Sequence, residues 1–333
     1  MRILSVGVLA VLMLSGCVHH LPTPVARITR AQLPSFKHVF VVVEENQGYA
    51  SVIGNTEDMP YLNRLAAQYG LATNYYTDAH PSINNYFFLT AGHMGTFAPW
   101  IRDLADLFPF DVGGENVASI LSDSGKSWKV YAESIPGRAY VGDDHGLYVK
   151  RHNPFAYFDT VRGNALQRRN IVPFSELAQD LRNHSLPAYG FIVPNIYDDG
   201  HNDPETKGLA GCGDSRALQD IDGWLKKNID PLVESTTFQR DGLLIITFDE
   251  ACEFGPHADW RFDPEKPELK GGGRVATVVV SSRTPPGTRS AKLYHHESVL
   301  RLSLRALRVE HLPGLAANTT DMNGFFPASA GEP

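Results

Sequence analysis

Cysteine is scarce in this chain, with only Cys17, Cys212 and Cys252 among 333 residues. That scarcity excludes a scaffold built from many disulfides, and the lack of any CxxC spacing excludes a zinc knuckle. Basic clusters are lacking too. Lys and Arg total 30 against 37 Asp and Glu, for a formal charge of −7 and a pI near 6.0. With no run of Lys and Arg, the field argues against a nucleic-acid partner. Long apolar runs are also missing, since Ile3 to Leu14 reaches about a dozen residues, short of the roughly 20 that a membrane-spanning helix needs. No internal repeat is visible. Lys270-Gly271-Gly272-Gly273 lacks the spacing and trailing Lys-Ser/Thr of a phosphate loop and reads as a turn.

What is present begins with an export signal. Arg2 followed by the short apolar stretch fits a signal-peptide core, and Leu14-Ser15-Gly16-Cys17 resembles a bacterial lipobox, in which Cys17 carries the lipid. The expected division is a signal peptide over 1–16, a Pro-containing tether over 17–35, and a catalytic domain over 36–333. The expected location is that of an exported bacterial lipoprotein, anchored to a membrane in the periplasm or at the cell surface. Export permits disulfides, and setting Cys17 aside leaves Cys212 and Cys252, the even number that one bridge needs. Such a bridge would close a loop of roughly 40 residues, worth about 3–4 kcal/mol on the chain-entropy estimate. Two free thiols are the alternative.

Short apolar runs bounded by turn residues predict strands buried on both faces at His38–Val43, Leu71–Tyr75, Trp128–Ala132, Ala188–Val193, Leu243–Phe248 and Val275–Val280. Helices are predicted near Met59–Tyr69, Asn84–Ala91, Asn116–Ser122, Pro173–Arg182, Ser215–Asn228 and Glu297–Leu307. This alternation points to an α/β fold, a doubly wound and mainly parallel sheet sandwiched by helices. The aromatic, irregular stretch Asp143–Asn170 interrupts the rhythm and reads as a lid-like insertion.

Ligands in such sheets gather at the carboxyl ends of strands. Glu44, Glu45 and Asn46 follow the first strand, Asp249 and Glu250 another, and Asn195, Asp198, Asp199 and His201 a third. Carboxylates converging there repel one another unless a cation or a shared proton intervenes, and an oxygen-rich set suits a divalent metal. Solvated loop ends are the plainer alternative. Ser82, after Pro81 at the start of a predicted helix, has a position where backbone amides favour an anion. It reads as a helix cap or as a nucleophile facing phosphorus.

Glu44-Glu45-Asn46, Met59-Pro60-Tyr61-Leu62-Asn63, Asn74-Tyr75-Tyr76, and His80-Pro81-Ser82 with Asn85-Tyr86 resemble the bacterial phosphoesterase family. That family holds acid phosphatases and phospholipases C, within the alkaline phosphatase-like superfamily. His152-Asn153-Pro154-Phe155, Pro194-Asn195 with Asp199 and His201, Thr247-Phe248-Asp249-Glu250, and Tyr294-His295-His296 continue the match in the same order. The resemblance implies a divalent metal held by Glu45, Asn46, Asp249, Glu250 and the nucleophile Ser82. It implies that His152, His201 and His296 contact phosphate or assist the leaving group, and that Asn85 and Asn195 bind substrate. Asp199, His295 and His257 are possible additions, as is a second metal. Strand alternation should send only one of Glu44 and Glu45 inward, and His295 competes with His296. Asp143-Asp144-His145 reads as a turn.

The activity this implies is hydrolysis of a small phosphate ester or phospholipid headgroup. A phosphomonoesterase working through phosphoserine comes first and a phospholipase C-like diesterase second. A non-catalytic lipoprotein that binds a phosphorylated ligand is the alternative of another class. A sulfatase is disfavoured because Ser82 is followed by Ile83-Asn84-Asn85-Tyr86 and lacks the Cys/Ser-x-Pro-x-Arg context.

Overall fold

Apolar runs that stay hydrophobic at successive positions have no face to give to water, so they become central strands of a covered sheet. A computed structural model describes residues 33–94, 112–252 and 271–326 and contains such a sheet. Its strands are β1 (His38–Glu44), β2 (Gly70–Ala72), β3 (Trp128–Ala132), β4 (Ile171–Pro173), β5 (Tyr189–Val193), β6 (Gly242–Phe248), β7 (Thr277–Val280) and β8 (Thr288–Ser290). The order is β4-β3-β5-β1-β6-β7-β2-β8. Only β7 runs against its neighbours, pairing antiparallel with β6 and β2, while the other pairings are parallel. The α/β class with a mainly parallel sheet is therefore the observed one.

The predicted helices form at Pro60–Gln68, Ser82–Ala91, Val117–Asp123, Glu176–Arg182, Ser215–Asn228 and His296–Ala306. Asn116 starts the third of these through a reciprocal cap, in which its Oδ1 accepts from the Ser119 amide at 3.1 Å. Pro173 does not open a helix as expected. It ends β4, at the edge of the sheet, where the missing N–H costs no ladder bond. The strands β4 and β8 escaped sequence reading because three residues are too few to carry a periodicity. Asn63 lies in a family-like motif yet serves the scaffold. It donates to the carbonyls of Val52, Asn55 and Met59 and accepts from Gly54 N–H, knitting the segment before its helix.

The stretch Asp143–Asn170 is irregular, as predicted. Tyr148, Phe155 and Phe158 are buried in the main core, so it forms a fixed wall that carries His152 inward. Cys212 and Cys252 are disulfide-bonded, with Cα atoms 5.5 Å apart, and the bridge ties the segment after β6 to the loop beyond His201. Cys17, with the signal and tether before Leu33, and His257 lie outside the described residues.

Two glycines are dictated by the packing. Gly92 ends the Ser82–Ala91 helix with φ 71°, and a Cβ there would meet the Pro313 carbonyl at 2.5 Å. Gly190, in the middle of β5, lets the Phe40 ring of β1 lie against the backbone, since a Cβ would come within 2.3 Å of it. Gly190→Ala is expected to cost about 1–3 kcal/mol by overpacking. Urea denaturation should show a lower midpoint at unchanged slope, and an unaltered midpoint would mean that Phe40 moves aside without cost.

Candidate active site

The register of the central strands assembles the site. Glu44 pairs with Phe248 across β1 and β6, so the residues after each strand emerge side by side, and the Asp249 N–H donates to the Glu44 carbonyl at 2.9 Å. Asn46 turns the chain with φ 55°, a left-handed conformation that Asn tolerates better than most residues. That turn aims its N–H at Asp249 Oδ1, 3.1 Å away, while its Nδ2 donates to Glu45 Oε2 at 3.3 Å.

The Ser82–Ala91 helix then presents Ser82 at its first position. The Ser82 hydroxyl, buried, donates to Glu45 Oε2 at 3.2 Å. One turn on, the Tyr86 hydroxyl donates to Glu45 Oε1 at 2.6 Å, and its ring stacks on His152. Residues i and i+4 share a helix face, so the Ser82–Tyr86 spacing was a sequence signal for this second contact, although no role was assigned to Tyr86 beforehand. Asn85 points elsewhere. Its Oδ1 accepts from the Asp78 and Ala79 amides, and its Nδ2 donates to the Ala79 carbonyl and to Glu250 Oε2 at 3.0 Å. Asn85 thus fixes Glu250 and leaves no donor for substrate. His80 supports the same carboxylate from the other side, with Nδ1 3.0 Å from Glu250 Oε1.

Glu44 and Glu45 are both buried, but on opposite faces. Glu45 meets Ser82. Glu44 faces the Asp198 and Glu133 side with neither carboxylate oxygen hydrogen-bonded, and burial followed by the charge of Asp199 pushes its pKa well up. Alternation therefore holds, with only Glu45 turned to Ser82, although Glu44 is buried on its own side.

The histidines divide by role. His152 Nδ1 contacts Asp199 Oδ2 at 2.8 Å, and its Nε2 lies 3.3 Å from Glu45 Oε1. A proton on Nδ1 leaves Nε2 as a lone pair facing a carboxylate oxygen. His201 contacts Asn202 Oδ1 through Nδ1 at 2.6 Å, and Arg151 Nη2 lies 3.3 Å from its Nε2. Arginine only donates, so Nε2 is the acceptor and Nδ1 carries the proton. His296 is fully buried behind the site. Its Nε2–H donates to the Asp249 carbonyl at 2.8 Å, and Nδ1 meets the Tyr75 hydroxyl at 2.9 Å. It thereby positions Asp249. His295 is the N-cap residue just before the last helix, with Nδ1 bonded to the Tyr76 carbonyl. Asn195 makes a turn, accepting from the Tyr197 and Asp198 amides and donating to Asp198 Oδ2, and holds no substrate-facing group.

Electrostatics mark the centre. Burial, then the charges of Asp249 and Asp199, push Glu45 well above its ordinary pKa, and burial with the Glu250 charge does the same for Asp249. Burial raises Asp199 and Glu133 to about 7. Burial also drives His152 down, and brings His201 to about 4. His152 Nε2 and Asp249 Oδ2 are buried without a hydrogen bond of good geometry. Acceptor atoms so placed repel unless a proton or a cation lies between them. Glu45, His152 and His201 offer ligand atoms within 4.8 Å of one another, and Glu45, Asn46, Ser82 and Asp249 adjoin on the other side. The donor set fits a divalent cation.

Comparison with known proteins places this geometry. The model of the Phosphoesterase family matches residues 55–307, more than half of the chain. The chain belongs to the Phosphoesterase family. Ser82, His152, Asp249 and His296 fall inside the matched range, and Glu45 and Asn46 precede it. This phosphoesterase is 31% identical over 228 residues to a probable acid phosphatase of Kluyveromyces lactis, covering 66% of this chain and 49% of that one. It is 32% identical over 194 residues to a phosphate-repressible acid phosphatase of Penicillium chrysogenum, covering 57% and 43%. The chain thus spans about half the length of these curated relatives or less. It is 27% identical over 292 residues to a phosphatidylinositol-3-phosphatase of Mycobacterium tuberculosis, covering 87% and 83%. Among solved structures, lipoteichoic acid synthase LtaP of Listeria monocytogenes superposes with a TM-score of 0.54 at 10% identity, over 87% of this chain and 75% of that one. An alkaline phosphatase superfamily protein from Vibrio parahaemolyticus gives 0.53 at 12%, over 89% and 70%. The last two likenesses concern the fold.

The buried carboxylates carry a pH prediction. A carboxylate raised in the folded state stays protonated while the unfolded chain ionises, so stability without metal falls as pH rises from about 4 towards 7. His152 and His201, depressed on folding, act oppositely below about 6.5, so the site's own contribution is read from the difference a cation makes. Thermal melts should show a divalent cation raising Tm at pH 7 and scarcely at pH 4, where the ligands hold protons. Equal melts with cation and with chelator at pH 7 would sink the cation site.

Proposed function

We propose that this phosphoesterase hydrolyses phosphate monoesters by transferring the phosphoryl group to Ser82 and then to water. The observation that carries this reading is the Ser82 hydroxyl. It sits at the first turn of a ten-residue helix and donates to a buried carboxylate beside unsatisfied metal-type ligands. Helix amides there favour a phosphoryl group, and the Glu45 oxygen in contact can take the hydroxyl proton. Glu45, Asn46, Asp249 and Glu250 would hold a divalent cation, with His152 and His201 available beyond Glu45. When bound, such an ion lowers the pKa of the hydroxyl and offsets phosphoryl charge.

Ser82 Oγ attacks phosphorus in line, forming the Oγ–P bond as the bond to the leaving oxygen breaks. The leaving oxygen takes its proton from water, since neutral His201 keeps its proton on Nδ1 and offers only a lone pair at Nε2. Water then attacks the phosphoserine, the Oγ–P bond breaks, and Oγ recovers its proton. Asp199 keeps the His152 ring oriented, and Tyr86 and Asn85 fix the two carboxylates. Asp199 therefore takes part through His152, while Asn85, Asn195, His295 and His296 serve as supports.

A phospholipid-headgroup substrate is the second reading, favoured by the name of the mycobacterial relative, a phosphatidylinositol-3-phosphatase. Membrane attachment through Cys17, with export to the periplasm or cell surface, suits either substrate. Non-catalytic binding is the weaker reading, since nucleophile and ligands are all present and adjacent.

Ser82→Ala is expected to keep its fold and cation-dependent Tm while losing at least ~10³-fold in turnover of p-nitrophenyl phosphate. Activity within a few-fold of wild type would rule out the covalent route, and chelation should silence wild type. Faster turnover of p-nitrophenylphosphorylcholine than of the monoester would move the assignment to the diesterase. For the anchor, Cys17→Ala should move the protein from the membrane pellet to the soluble fraction in a bacterial host; unchanged sedimentation would remove the lipid.

A further inference from the structure

The site floor is strongly acidic, yet the substrate is an anion, so positive charge must also come from elsewhere. Lys150 does not supply it, because its ammonium lies 4.8 Å over the Tyr157 ring and 3.4 Å from Asp143 Oδ1. Arg274 stacks 3.8 Å over the Tyr49 ring. Arg151 differs. It sits beside His152 in a single 3₁₀ turn, with Nη2 3.3 Å from His201 Nε2. Its only acidic contact among the described residues is Asp144 Oδ2 at 3.9 Å, a loose pairing with a side chain 60% exposed. Its charge reaches inward, lowering the proton affinities of His152, His201 and Asp199.

Depth separates its role from that of the Ser82 pocket. Ser82 is 5% exposed and His201 9%, whereas the Arg151 side chain is 22% exposed and weakly tied. Arg151 is thus the more exposed neighbour of His201, placed for the part of a substrate that lies outside the Ser82 pocket. We propose that Arg151 recognises a second anionic group, carboxylate or phosphate, on the alcohol of the ester, so that the site prefers substrates carrying an anionic group besides the scissile phosphate. This deepens the phosphomonoesterase reading and rests on it. Guanidinium is suited to the task, being always charged and able to give two parallel hydrogen bonds to either anion.

The test compares 4-carboxyphenyl phosphate with the near-isosteric, neutral-tailed 4-carbamoylphenyl phosphate. Wild type should favour the carboxylate roughly tenfold in kcat/KM, mostly through KM. Arg151→Ala should abolish that ratio, whatever it does to both esters alike through His201, and Arg151→Lys should restore part of it. Both esters are also titrated calorimetrically into Ser82→Ala protein with and without Arg151→Ala, which reads recognition apart from turnover. A charge preference in binding that vanishes with Arg151→Ala supports the assignment even if wild type turns over neither ester, a result that would count only against the catalytic reading. Equal weakening of both esters, or an unchanged ratio in binding, overturns it.

Discussion

Mutual repulsion among carboxylates that the sheet forces into one dry place is the constraint on which the rest of the structure depends. The parallel register of β1 and β6 brings Glu45 and Asp249 together, and neither can retreat into solvent, because both are fully buried. Each neighbouring contact is explicable as a response. Tyr86 and Ser82 donate to Glu45, Asn46 N–H to Asp249, and Asn85 to Glu250. These donors lower the cost without cancelling it, as the strongly raised proton affinities of Glu45 and Asp249 make plain. The remaining unfavourable energy is a preorganised binding potential for positive charge.

Support for that arrangement comes from remote elements. His296 begins the last helix and holds the Asp249 carbonyl, with Tyr75 behind it. The Cys212–Cys252 bridge joins the segment after Glu250 to the loop that follows His201, and Gln47 ties that loop to the turn after Asn46 by accepting from Gly213 N–H at 2.8 Å. Segments distant in sequence are thus clamped around one centre. That limits the rearrangement the site must undergo when phosphate arrives, which is where preorganised charge gains its advantage over water.

A gradient from depth to mouth organises the chemistry. Ser82, the carboxylates and His152 are buried, the His152 and His201 rings have centroids 5.4 Å apart, and Arg151, in contact with His201, has the more exposed side chain. Positive charge at the rim and negative charge at the floor oppose each other along the line a phosphate ester would follow.

How much of this was legible in the sequence follows from the range of the interactions. Continuous apolar runs such as Val39–Val43 and Leu243–Phe248 declare covered strands by themselves, because burying both faces is a local property of composition. Strand ends and helix starts mark a wider set of candidates, from Glu44 and Glu45 to Asp199 and His201, and the choice of Glu45, Asn46, Ser82, Asp249 and Glu250 among them comes from the family resemblance. Tertiary structure alone decided what the polar side chains do with their hydrogen bonds. Asn85 faces Glu250, His296 faces the Asp249 carbonyl, and Asn195 closes its own turn, since each partner lies across the fold or depends on a backbone angle. Arg151 and Tyr86 gained their places the same way. Which element backs which strand end is set by strand order and register, and these are fixed by packing of the whole chain, not by any window within it.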